Sequence, residues 1–150
     1  KAGATVSTAE SCTAGQISAA LTCVPGSSAY FQGGVVCYSN DVKVKVLGVP
    51  QDMINDFGAV SEPVVRAMLE GALKAFETTY AVAVTGFAGP GAGPEAPVGT
   101  IWIAVGSEKE VNVIKLEGDD GRDVNLARAT HVALQMLLDL LKKDFPAEAE

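Results

Sequence analysis

Residues 80–86 read "YAVAVTG", a continuous apolar run. A run without polar alternation predicts a central strand covered on both faces. Upstream of it, Ser61 stands as an N-cap with Pro63 in the first turn. Val64, Val65, Met68, Leu69, Ala72, Leu73 and Phe76 then recur at helical spacing, so 62–78 reads as an amphipathic helix. Downstream, "GTIWIAVG" (99–106) repeats the buried-strand pattern, and "EVNVIKLE" (110–117) alternates as a strand nearer an edge does. The short "GSEKE" between them predicts an antiparallel hairpin. A last helix spans about 122–143.

The N-terminal third continues the alternation. "ATVSTA" (4–9) reads as a strand. Residues 12–23 carry Thr13, Ile17, Ala20 and Leu21 on one helical stripe, which "VPGSS" (24–28) breaks. "GGVVCYS" (33–39) reads as a second, mostly buried strand, followed by a helical turn over 41–46. Strands separated by helices and ending in a hairpin predict an α/β fold. The expected form is a three-layer α/β/α sandwich with a mixed, mostly parallel sheet of about five strands in one domain over 1–150. The first residue is not Met, so the chain is expected to be part of a longer one.

Composition narrows the function. The chain has 150 residues, of which 48% are apolar and 19% charged, as in an ordinary globular domain. Its net charge of -7 argues against a nucleic-acid binder, which would carry a basic face. Cys12, Cys23 and Cys37 are odd in number and form no CxxC pair, which points to a reducing cytoplasm rather than a disulfide framework. No apolar run has membrane-spanning length, so no membrane partner is expected.

In such sheets the site lies beyond the carboxyl ends of the parallel strands. Ser11 follows the first strand, Tyr38 and Lys43 the second, Thr85 and Gly86 the third, and "GDDGR" (118–122) the fifth. Ser11 in "TAESCTAGQ" (8–16) sits at a strand-to-helix turn, where the amides of Cys12, Thr13 and Ala14 can hold an oxyanion. It reads equally well as an N-cap. His131, the single histidine, falls on a polar helix face, so a lysine is the better base. Lys43 follows Tyr38 in "CYSNDVK", where one helical turn can bring both to the site; on pattern alone it also fits a surface residue. Cys12 is a rival nucleophile without a His partner. "GFAGPGAGPEAPVG" (86–99), with Gly86, Gly89 and Gly91, reads as a ligand loop. It lacks the GK[ST] of a phosphate loop and enters a strand, unlike a dinucleotide fingerprint. A Tyr-x-x-x-Lys dehydrogenase pair is excluded because four residues separate Tyr38 from Lys43.

Four blocks, "AESCTAG", "PGSSAYFQGGVVCYSNDVK", "GAVSEPVV" and "TGFAGPGAGPEAPVGT", resemble in order the signature blocks of the CinA C-terminal domain family. The resemblance covers nearly all of residues 4–135. It implies an α/β/α sandwich and hydrolysis of the carboxamide of nicotinamide mononucleotide, giving nicotinate mononucleotide and ammonia. It places the nucleophile on Ser11 and its activating partners on Tyr38 and Lys43. No metal or other cofactor is implied, and a homodimer is expected. Substrate contacts are expected from Glu10, beside the cationic pyridinium, from Cys12, Thr13 and Asn40, and from Thr85, Gly86, Gly89 and Gly91. Arg122 is expected to hold phosphate. Ala14 stands where the family has Gly, a change that a helical position tolerates. "GDDGRD" departs from the family's GDR, and Leu126 stands where a second Arg is expected. These departures raise an alternative, a catalytically idle nucleotide-binding module linked to competence or DNA damage.

Overall fold

The computed structural model describes residues 3–91 and 96–146. Gly93 and Pro94 of the glycine- and proline-rich loop lie outside the described residues. The chain runs β1 (Val6–Glu10), α1 (Gln16–Thr22), β2 (Phe31–Val36), α2 (Asn40–Leu47), α3 (Gln51–Phe57), α4 (Glu62–Phe76), β3 (Tyr80–Gly86), β4 (Ile101–Gly106), β5 (Val111–Leu116) and α5 (Arg122–Asp144).

The five strands form one sheet in the order β2-β1-β3-β4-β5. β1 pairs in parallel with β2 and β3, while the β3–β4 and β4–β5 ladders are antiparallel. Four strands thus run one way and β4 runs against them. β3 lies in the middle, as its apolar run requires. Its pleat sends Tyr80, Val82 and Val84 to one face and Ala81 and Ala83 to the other. The first face packs on Ile17 of α1 and on Leu126, Ala129, Ala133 and Leu137 of α5. The second packs on Leu47, Ile54 and the Val64, Val65, Met68, Leu69 and Ala72 stripe of α4. Fully burying one such Val contributes about 2 kcal/mol. Helices on both faces of the sheet make the three-layer sandwich.

Several local details differ from the sequence pattern. β2 is an edge strand whose side chains alternate between half-buried and exposed, rather than mostly buried. α3 has only Ile54 buried, too little for a periodic signal. Ser61 occupies the N-cap of α4, but its hydroxyl donates to Gly58 O at 2.8 Å instead of accepting from the helix. α1 begins at Gln16, not at residue 12, because Ala14 (φ 49°) and Gly15 (φ 98°) are left-handed. The chain needs that reversal to turn from β1 into a helix lying back along the sheet. Ala14 is therefore not helical, and its Cβ makes the left-handed state costly.

β1 is the switch point of the sheet. The connection through α1 leads to β2 on one side of it, and the connection through α2, α3 and α4 leads to β3 on the other. The carboxyl ends of β1, β2, β3 and β5 share one edge, and a crevice opens there. Replacing Ala14 by Gly is expected to raise unfolding free energy by about 0.5–1 kcal/mol, since the relief of left-handed strain outweighs the added freedom of the unfolded chain. Urea unfolding of Ala14→Gly beside the parent protein measures it.

Candidate active site

A pocket of about 230 Å³ opens at that edge. Ser11 and Cys12 line it from the end of β1, Tyr38, Asn40 and Lys43 from the β2–α2 segment, and Thr85 and Gly86 from the end of β3. Phe87, Ala88, Gly89, Pro90 and Gly91 form one wall, Ala59 and Val60 another, and Arg122 closes the rim.

Lys43 lies on the inner face of α2, one turn before the buried Leu47, and it is 2% exposed. Its Nζ donates to Ser11 Oγ at 3.1 Å and to the Tyr38 carbonyl at 3.5 Å. Ser11 is itself only 7% exposed. Among the described residues no carboxylate forms an ion pair with Lys43. Burial disfavours its charged form and lowers its pKa from the ordinary 10.5. An amine so placed can be neutral and accept a proton from the hydroxyl it touches.

Cys12 lines the same pocket, but burial pushes its thiol up to about 12. A thiol held there favours its protonated form at neutral pH, which weighs against Cys12 as a nucleophile. The Ala14 amide donates to Ser11 O at 3.1 Å. It is therefore not free for an oxyanion.

Tyr38 meets Lys43 through its carbonyl, not its phenol. The residue is 58% exposed, and its hydroxyl accepts from Arg122 Nη2 at 3.2 Å. Arg122 also donates from Nη1 to Gly89 O at 2.6 Å, so the rim guanidinium ties the β2–α2 segment to the loop after β3. Thr85 lines the pocket, but its hydroxyl donates to Ala59 O at 2.8 Å. Glu10 and Thr13 do not line it: Glu10 accepts from Thr13 Oγ1 at 2.8 Å and turns into the body of the domain. The expected contact of Glu10 with a pyridinium is not made by this geometry.

Two features lay outside the sequence reading. Ala59 and Val60 bring the "GAVSEPVV" block to the site, though neither of these two side chains carries a reactive group. Asn125 is 1% exposed; it donates to Ala88 O and Asp119 Oδ1 and accepts from Asp120 N, clasping the pocket wall to the turn that starts α5. A polar residue beside the buried Leu126 was the available signal. Among the described residues no three His, Cys, Asp or Glu side chains converge as metal ligands.

The CinA C-terminal domain family model matches residues 1–141. The chain belongs to the CinA C-terminal domain family. Nicotinamide-nucleotide amidohydrolase PncC of Escherichia coli K12 is 47% identical over 90% of this chain and 83% of its own length. A CinA-like protein of Gemmatimonas aurantiaca is also 47% identical, over 97% of this chain. The chain spans about a third of the length of that CinA-like relative (33%). The crystal structure of competence/damage inducible protein CihA from Agrobacterium tumefaciens superposes with a TM-score of 0.86 at 45% identity, covering 92% of this chain and 86% of that one. The CinA superfamily structure from Escherichia coli gives 0.89 at 31% identity, covering 93% and 81%. The mixed α/β sheet is thus the fold of this CinA family. Among the described residues no helix is long and apolar enough to cross a membrane.

The lowered Lys43 pKa carries a stability cost. Between the lowered folded value and 10.5 the unfolded chain binds a proton that the folded chain has lost, so stability rises with pH across that interval. Lys43→Met is expected to be more stable than the parent at neutral pH, by about 3 °C or more in Tm. The difference is expected to narrow as pH approaches 10.5, which thermal unfolding at a series of pH values checks.

Proposed function

We propose that this CinA domain hydrolyses the carboxamide of nicotinamide mononucleotide, releasing nicotinate mononucleotide and ammonia through an acyl-enzyme on Ser11. The observation that carries the reading is the buried contact between Lys43 Nζ and Ser11 Oγ at 3.1 Å, set at the carboxyl edge of the sheet. The 47% identity to an amidohydrolase over 90% of the chain supports the substrate.

In the proposed cycle the Lys43 amine, neutral when substrate arrives, takes the Ser11 proton. Ser11 Oγ attacks the carboxamide carbon, and the carbonyl oxygen gathers negative charge against the Cys12 amide. One such donor is worth about 3 kcal/mol of barrier. Lys43 then passes its proton to the departing nitrogen, which leaves as ammonia. Water enters, gives a proton to Lys43 and attacks the ester carbon; Lys43 returns that proton to Ser11 as nicotinate mononucleotide leaves. The Tyr38 carbonyl keeps the amine aimed at Ser11 throughout.

Arg122 and Lys43 are the cationic side chains among the described lining residues, and Arg122 stands at the rim at the start of α5. The phosphate is assigned to Arg122, with the glycines of the 86–91 segment letting backbone approach the ribose. Tyr38 and Asn40 border the same rim.

Ser11→Ala and Lys43→Met are each expected to lower ammonia release from nicotinamide mononucleotide by at least about 10³-fold. Cys12→Ala is expected to retain turnover, since the protonated thiol takes no part. In the parent, kcat/KM is expected to rise with pH as Lys43 loses its proton, below 10.5. Tight nucleotide binding with no ammonia release in the unmodified protein would instead favour the idle module.

A further inference from the structure

Glu10 stands next to Ser11 in the chain yet faces away from the pocket. It is 1% exposed, and among the described residues no cation pairs with it. Its Oε1 accepts from Thr13 Oγ1 and from Ile17 N, both at 2.8 Å. Its Oε2 accepts from Ser18 N at 3.0 Å and from Ser18 Oγ at 2.6 Å. Ser18 Oγ is also 2.7 Å from Thr8 Oγ1, on β1.

We propose that Glu10 is a positioning residue, whose carboxylate holds the turn that presents the Ser11 hydroxyl to Lys43. The proposal rests on the reading of Ser11 as nucleophile and extends it to a group outside the pocket.

Four donors meet about four lone-pair sites, which leaves the carboxylate no acceptor capacity for a substrate cation. The arrangement also specifies a carboxylate. A glutamine would turn an NH₂ toward donors on at least one side, leaving a buried polar clash. Two of the donors, the amides of Ile17 and Ser18, are the unpaired N–H groups of the first turn of α1. Gly15, at the cap position, has no side chain to satisfy them. Glu10 does so from the last residue of β1, on the other side of the turn. One side chain thus ties the strand end to the helix start, and residues 11–15 become a closed loop between them.

Ser11 lies inside that loop. Its amide donates to Val84 O at 3.0 Å and its carbonyl accepts from Ala14 N at 3.1 Å. The left-handed pair Ala14 and Gly15 persists only where surrounding bonds hold it. Loosening the carboxylate frees this pair first, and the Ser11 hydroxyl with it. A misplacement of about 1 Å at a reacting group costs about 100-fold in rate.

The test is the rate at which a fluorophosphonate probe labels Ser11. Ser11 Oγ forms a bond to phosphorus, fluoride leaves, and the hydroxyl proton passes to Lys43, so the reading does not depend on the natural substrate. Glu10→Gln and Thr13→Val are expected to slow labelling per folded molecule by about tenfold or more, and Thr13→Ser to restore it to within about twofold. With nicotinamide mononucleotide, kcat is expected to fall in parallel while KM stays within about twofold. If Glu10→Gln does not fold, the Thr13→Val and Thr13→Ser pair decides alone. Unchanged labelling with only a lower Tm would overturn the proposal in favour of a purely structural carboxylate. A raised KM at constant kcat would overturn it in favour of substrate contact. Labelling of the parent without ammonia release would sink the proposed substrate and leave the positioning test intact; no labelling of the parent would overturn both.

Discussion

Lys43 brings a long side chain and an amine to 2% exposure, where Ser11 Oγ and the Tyr38 carbonyl are its hydrogen-bond acceptors. Burying an amine this way opposes folding, because its charged form loses water without gaining a carboxylate. The domain tolerates the cost because its core is otherwise continuous on both faces of the sheet. In the proposed cycle, what the burial yields is a larger neutral fraction of the amine that touches Ser11 Oγ. The surrounding sulfurs fit the same account: burial raises Cys12 to about 12 and Cys37 to about 11, so both remain neutral beside the amine.

The sheet order explains how this pair is assembled from distant parts of the chain. β1 has parallel neighbours on both sides, so the segments that follow β1, β2 and β3 converge on one edge. Ser11 comes from the first, Lys43 from the second, and the wall from Phe87 to Gly91 from the third. α5 then starts at the same edge, and Arg122 and Asn125 clasp that wall from its first turn. The hairpin of β4 and β5 adds no reacting group; it covers β3 and returns the chain to the site.

Much of this was legible in the sequence because periodicity reports burial. The unbroken run at β3, the stripe of α4 and the alternation of β5 each translated into the observed element. Placing chemistry at strand ends located Ser11, Lys43 and Arg122 before any contact was known. The start of α1 was not legible, since Thr13 and Ile17 keep helical spacing whether or not the turn between them is helical. Only the left-handed Ala14 and Gly15 show where the helix begins. The direction of a polar side chain was equally hidden. Glu10 and Ser11 are neighbours, but the pleat of β1 sends one into the body of the domain and the other to the pocket. Tyr38 was expected beside Lys43 as a partner of Ser11, and it is the Tyr38 carbonyl that meets the amine, a detail invisible to residue type. α3 and the Asn125 clasp depend on tertiary partners that no local pattern announces.

The role of Lys43 depends on whether its amine gives up its proton more readily in the folded protein than an ordinary lysine does. Titration of the Lys43 side chain by NMR, with ¹³C at Cε assigned by comparison with Lys43→Met, reads this without reference to any substrate. The Lys43 midpoint is expected below the ordinary 10.5, the direction in which burial of the amine moves it. A Lys43 midpoint at or above 10.5 would mean that the amine remains an ammonium at neutral pH, and it would contradict the assignment of Lys43 as the base that activates Ser11.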